Sequence, residues 1–297
     1  MVNKTIGNPL SWSAQRIAGI GHGIGSATDG IASHDMQAPR VRDIGPDQIR
    51  SALRKGVEDF IALRSDVLLA VVLYPVIGLF LAAWVIHSGE YYALFPLLAG
   101  FPLLGPVAAV GLYEMSRRRE RGEPANWGAV FDTLTGAVLG PVLAMAVLLG
   151  VVFCAWLYSA ALIWQATLGG NSYASLGQLL GDVFTTTDGW RLLVLGMAVG
   201  FVFATIALCI SIVTFPMLLD RRVGVPVALA TSIAVVRRNP GTSALWGLVV
   251  ALTLAIGMIP LFVGLIIVLP ILGHASWHLY REAVADALPP LPPRELY

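Results

Sequence analysis

The residues best suited to chemistry sit near the end of the last apolar block, in His274-Ala275-Ser276-Trp277-His278. On a helix, positions i and i+4 share one face, so both imidazoles can address one metal ion. His274 and His278 are therefore the candidate metal ligands. Haem ligation is the alternative, with an axial pair drawing its second histidine from another helix. No third ligand is evident, and no Glu follows His274 as a zinc-protease motif requires. The other reading is a pair of hydrogen-bonded interfacial histidines beside Trp277 and Tyr280. No resident cofactor is expected, and no catalytic triad or phosphate-binding loop is found. The glycine run at 19–25 lacks the flanking strand and the Lys-Ser/Thr of a phosphate loop.

Three further groups are candidates. Arg117, Arg118, Arg119 and Arg121 form a basic cluster that suits anionic lipid headgroups or sets topology. Pro102, Pro216 and Pro270 each remove a backbone donor inside an apolar stretch, which kinks or breaks a helix and offers a possible cavity. Ser159, Thr205, Ser211, Thr214 and Thr253 are the polar side chains available to line such a cavity. Cys154 and Cys209 lie mid-span in different segments and read as small buried apolar residues. No carboxylate occupies a span centre.

The elements that must position these groups follow from composition. Of 297 residues, 57% are apolar and 12% charged, and the mean hydropathy is +0.76. Soluble domains carry about 25% charged residues. Uncharged stretches run over 67–89, 91–113, 133–181, 192–219 and 239–280. One crossing takes about 20 apolar residues, so the chain is an all-α, polytopic helical membrane protein. Soluble enzymes, nucleic-acid binders and outer-membrane barrels are excluded. Six spans are expected at about 67–88, 92–114, 140–166, 191–219, 242–260 and 262–283. They form a membrane domain over 44–284, between a mobile polar tail (1–43) and a Pro-rich tail (285–297). Of 19 Lys and Arg, only Arg191 falls on the far side. The positive-inside rule then places both termini in the cytoplasm of an inner-membrane protein. Tyr91, Tyr92, Trp164 and Trp190 form the expected outer aromatic belt, and Trp127, Trp246 and Trp277 the inner one.

Residues 46–64 read as an amphipathic helix in the headgroup plane. Its apolar face is Ile49, Leu53, Val57 and Phe60, and Asp59 falls on the solvated side. The chain also repeats itself. Gly45-Pro46, Gly122-Glu123-Pro124 and Gly224-Val225-Pro226 each open a short helix followed by two spans. A matching tetrad closes each unit: 101–104, 215–218 and 269–272. The architecture is thus three pre-helix-plus-hairpin units in the same direction. Small residues at Gly196, Gly200 and Ala204, and at Gly247, Ala251 and Ala255, favour close helix approach.

Three stretches carry a resemblance: Phe101–Pro106 running on to Gly111–Arg118, Phe215–Arg221, and Pro270–Arg281. Over roughly 42–284 the chain resembles a bacterial family of uncharacterised integral membrane proteins, a domain of unknown function. Some members bear a loose label as putative cytochrome c oxidase subunit I. With five histidines, two of them in the tail, the chain lacks the ligand set of a haem-copper centre. The label implies at most an association with respiratory complexes.

The expected function is a non-enzymatic accessory, assembly or scaffold protein of membrane complexes, with the lipid bilayer and other membrane subunits as partners and no nucleic acid. The alternatives are a transporter or channel for a small or lipidic solute, and a metal or haem protein using His274 and His278.

Overall fold

The computed structural model describes residues 39–126, 128, 138–221 and 223–285. The expectations for the N-terminal tail up to residue 38, for most of the second pre-helix, for Trp127 and for the Pro-rich tail from residue 286 lie outside these residues. The described elements are helical. One isolated antiparallel bridge joins Val41 to Val284. The chain is a polytopic helical membrane protein.

We number the helices α1 (Pro46–Val71), α2 (Leu73–Ser88), α3 (Leu94–Gly100), α4 (Gly105–Ala108), α5 (Val110–Glu120), α6 (Leu139–Thr167), α7 (Leu176–Thr185), α8 (Thr187–Ser211), α9 (Thr214–Asp220), α10 (Val225–Arg238), α11 (Pro240–Met258) and α12 (Leu265–Ala283). Among the described residues, Leu139–Thr167, Thr187–Asp220 and Pro240–Met258 are long and apolar enough to cross a membrane. Shorter apolar helices cover Pro75–Ser88 and Tyr91–Gly100.

The second apolar stretch is not one helix. Proline and glycine cut it into α3, a tight 3₁₀ segment Phe101–Leu104, and α4, before α5 resumes. Pro102 lies in that 3₁₀ segment. Pro216 falls in the first turn of α9, just after α8 ends at Ser211. Pro270 sits inside α12, which continues through it. Pro216 and Pro270 are buried among packed side chains, with Phe215 and Met217 fully enclosed beside the former. Both positions are thus enclosed by packing.

The first pre-helix departs from expectation most. α1 is continuous past the predicted end of the pre-helix, and it runs antiparallel to α12 rather than lying apart in the headgroup plane. Its buried face is Ile49, Ala52, Gly56, Asp59 and Leu63, while Val57 is exposed. The spacing i, i+3, i+7, i+10, i+14 is helical, but the stripe is made of small residues and one carboxylate. The large apolar residues pulled the sequence reading around the helix by most of a quarter turn. Gly56 permits the close contact. A Cβ there would fall 2.7 Å from the Ile271 carbonyl oxygen and 2.8 Å from Ala275 Cβ. Gly56→Val is expected to force α1 off α12 at a cost of about 1–3 kcal/mol, read as a lower melting temperature in detergent. An unchanged melting temperature would show that the pairing of α1 with α12 does not matter to the fold.

Other small residues are used within the chain. A Cβ on Gly200 would lie 3.0 Å from the Trp156 ring, and one on Gly247 would lie 3.1 Å from Leu208. Trp156 is buried and donates to the Pro96 carbonyl at 2.7 Å. The cysteines are less enclosed than expected: Cys154 is exposed and Cys209 half-buried, which places them toward lipid. Trp246 and Trp277 are buried rather than belted. At the opposite end, Trp164 stacks on Tyr92 at 5.1 Å and Trp190 is exposed.

Candidate functional site: a buried charged layer

The predicted histidines meet partners that the sequence did not suggest. α12 places His274 and His278 one turn apart, and both face the buried stripe of α1. His278 Nε2 lies 2.8 Å from Asp59 Oδ2. Ser116 of α5 donates its hydroxyl to the same Asp59 oxygen at 2.6 Å and lies 2.8 Å from His274 Nδ1. Arg119, one turn further along α5, donates to Asp59 Oδ1. Asp59, Ser116 and His274 are all buried.

The donor inventory sets the protonation pattern. A carboxylate only accepts, so the single Ser116 proton goes to Asp59. The Ser116 oxygen must then accept from His274, which carries its proton on Nδ1. His278 carries one on Nε2 and donates it to Asp59. The chain reads His274 Nδ1–H to Ser116 O–H to Asp59, with His278 and Arg119 converging on the same carboxylate. Burial pushes the Asp59 carboxyl up, but the hydrogen bonds from His278 and Ser116 more than offset it, so Asp59 titrates below the ordinary carboxylate range. Among the described residues, no three His, Cys, Asp or Glu side chains are grouped to hold a metal ion. The imidazoles serve Ser116 and Asp59 instead.

The arginine cluster is likewise paired within the chain, with Arg117 and Arg118 half-buried and Arg119 and Arg121 exposed. Glu114, wholly buried, receives Arg117 and Arg118, with Arg117 Nε 2.7 Å from Oε2 and Arg118 Nε 2.7 Å from Oε1. Arg117 also donates to the Leu219 carbonyl at 2.9 Å, which ties α5 to α9. Arg121 reaches Asp220 at 3.1 Å. The lipid-headgroup reading of Arg117, Arg118, Arg119 and Arg121 therefore gives way to an internal one: each guanidinium meets a carboxylate of this chain.

Asp220, at the end of α9, also accepts from the Tyr280 hydroxyl at 2.9 Å. Tyr280 in turn accepts from Arg221 Nε at 2.8 Å. Glu120 accepts from Trp277 Nε1 at 3.0 Å and Arg281 Nε at 3.1 Å. A separate clasp ties residues 42–44 to the junction between α10 and α11. Asn239 accepts from the Ile44 amide at 2.9 Å and donates to the Arg42 carbonyl at 3.1 Å, while Arg238 forks onto Asp43 at 2.7 and 2.8 Å.

The layer thus joins α1, α5, α9 and α12 through charges buried at one end of the bundle. In chemical terms it is a cross-brace. Asp59, Asp220 and Glu120 accept from donors on other elements, and Glu114 is paired with two arginines of its own helix, the pattern that makes buried ions tolerable. The sequence reading missed Asp59 because it was counted on the solvated face. The available signal was the small-residue stripe Ala52-Gly56 in register with it.

The cavity-lining hydroxyls are also accounted for. Ser159, Thr205, Ser211, Thr214 and Thr253 each donate to the carbonyl four residues earlier, Thr214 of α9 reaching back to Ile210 of α8, as hydroxyls in apolar helices commonly do. A cleft of about 230 Å³ opens at the other end of the bundle, lined by Trp84, Tyr92, Pro96, Leu97, Leu157 and Ala160 among others. None of the five hydroxyls lines it.

No curated protein and no solved structure matches the chain. Residues 94–220 match the model of a family described as predicted integral membrane protein (DUF2189). That span includes Glu114, Ser116, the arginine cluster and Asp220, but neither Asp59 nor the two histidines. Over that segment, the resemblance to a family of uncharacterised integral membrane proteins is a match.

Proposed function

We propose that the chain is a non-enzymatic scaffold or assembly protein for other membrane proteins, seated in the inner membrane with its charge-rich end and both termini in the cytoplasm. The observation that carries this reading is the closure of the buried charged layer on itself. Its carboxylates brace helices, and this supports a structural role for the layer. The asymmetry of basic residues supports the orientation. The outward face of α8, with Val194, Met197, Phe201 and Val202 exposed and open space beside Gly196, suits the approach of another spanning helix. Respiratory complexes are one class of such partners.

The test is affinity purification in mild detergent from cells expressing the protein at its native level. The expected result is a membrane protein recovered in comparable amount and cross-linked to α8. Recovery of the monomer alone would overturn the reading. A second reading, transport of a lipidic solute, draws on the apolar cleft lined by Trp84 and Tyr92. It would gain ground if solute flux appeared in vesicles containing the purified protein alone.

A further inference from the structure

The helix α10 buries two hydroxyls beside Ala228 and Val235 while exposing apolar side chains. Its inward face carries Thr231 and Ser232, both buried, whose hydroxyls donate to the Val227 and Cys209 carbonyls at 2.7 and 2.8 Å. Its outward face is apolar: Pro226, Ala230, Ile233 and Ala234 are exposed, and Arg237 and Arg238 follow in the last turn. A helix with that arrangement belongs at the boundary between headgroups and acyl chains.

Against this face lies an open groove of about 580 Å³, lined by Val41, Ala230, Ile233, Ala234, Arg237 and Arg238. Val41 comes from the extended segment that pairs with residues 283–285, through Arg42 N to the Ala283 carbonyl and Ala285 N to the Arg40 carbonyl. Arg40 and Arg42, flanking Val41, are exposed. Among the described residues, the acidic side chain at this rim is Asp43, and Arg238 takes it up, its guanidinium holding the Asp43 carboxyl below its ordinary range. The rim is therefore net positive and the floor apolar. The arginines first suspected of meeting lipid each pair with a carboxylate of this chain, whereas Arg237 sits exposed where a headgroup can reach it.

We propose that this groove binds an anionic phospholipid, with the headgroup phosphate at Arg237 within the positive field of Arg40 and Arg42, and an acyl chain along Ala230, Ile233 and Ala234. Charge complementarity selects the anionic head, and the apolar floor selects a lipid over a free phosphate ion.

The full-length protein is purified in a nonionic detergent, offered phosphatidylglycerol or phosphatidylcholine, and weighed intact by native mass spectrometry. The expected result is preferential retention of phosphatidylglycerol. Arg237→Gln should reduce that retention about fivefold, and Ile233→Ser should weaken it as well. Arg50→Gln, an exposed charge on α1, should leave it unchanged. Because Arg237 and Ile233 are exposed, both variants should melt with the wild type, which keeps a folding defect separate from a binding defect. Equal retention of the two lipids, equal retention by wild type and Arg237→Gln, or a wild-type dimer with this face covered would each overturn the proposal.

Discussion

Replacing Asp59 by Asn should destabilise the protein by about 3 kcal/mol, a drop in melting temperature of roughly 5–10 °C for a chain of this size. The substitution is nearly isosteric, so the effect is electronic. Three donors converge on Asp59: the Ser116 hydroxyl, His278 Nε2–H and an Arg119 N–H. A carboxylate accepts from all of them. An amide brings two N–H donors of its own into a site that has none to receive them, and leaves Arg119 without its counter-charge.

The same group predicts a pH dependence. Its carboxyl titrates below the ordinary value of 3.8. The stabilisation is therefore full above that value and is lost as pH falls through the lower, folded-state one. The wild type should lose its advantage over Asp59→Asn only in acid, below about pH 4, and keep it at neutral pH. Melting curves of both proteins in one detergent across that range are the measurement. Coincident curves at pH 7 would mean that the layer does not hold α1.

Glu114→Gln should be more damaging, at about 3–5 kcal/mol. Glu114 is wholly enclosed and neutralises both Arg117 and Arg118, whose side chains are only 16% and 20% exposed. The amide strands two guanidinium groups in a low-dielectric site. Poor accumulation in the membrane and early aggregation on heating are the expected readouts. Replacing the whole cluster with apolar residues, as in the triple variant Glu114→Leu, Arg117→Met, Arg118→Met, should recover much of the loss. Buried ion groups exchanged together for well-packed hydrophobes are often neutral or better. If the triple variant were as unstable as the single one, Glu114 would be acting by packing and not by charge.

Much of the architecture was legible because charge is so sparse. The spacing of Asp, Glu, Lys and Arg marks apolar stretches; α6 and α11 fall inside them, and α8 begins one turn before its stretch. The broken second stretch was less legible. Gly100, Pro102, Gly105 and Pro106 are each tolerated in spanning helices, and only their crowding converts a helix into short turns.

The charged layer was half visible. The i, i+4 spacing correctly put His274 and His278 on one face, but their partners lie 57 to 219 positions from one another along the chain, beyond any local pattern. Asp59 was misplaced for a physical reason. Amphipathic readings weigh residue size and hydrophobicity, whereas close helix pairing favours small residues such as Ala52 and Gly56. The arginine run was misread in the opposite sense. The run suggests a lipid-headgroup or topogenic signal, yet Arg117 and Arg118 share Glu114, Arg119 meets Asp59 and Arg121 meets Asp220.

The antiparallel pairing of α1 with α12 also bears on how the protein is made. The ribosome delivers Asp59 early, but its imidazole partner follows 219 residues later. Until α12 emerges, α1 holds an ionised group on a face designed for burial, with Ser116 and Arg119 the first partners to appear. Among the described helices, the last in sequence therefore completes the first, and α1 meets its full set of partners only once α12 has been made. A nascent chain halted before α12 would hold its membrane helices while still lacking the element that secures its N-terminal helix.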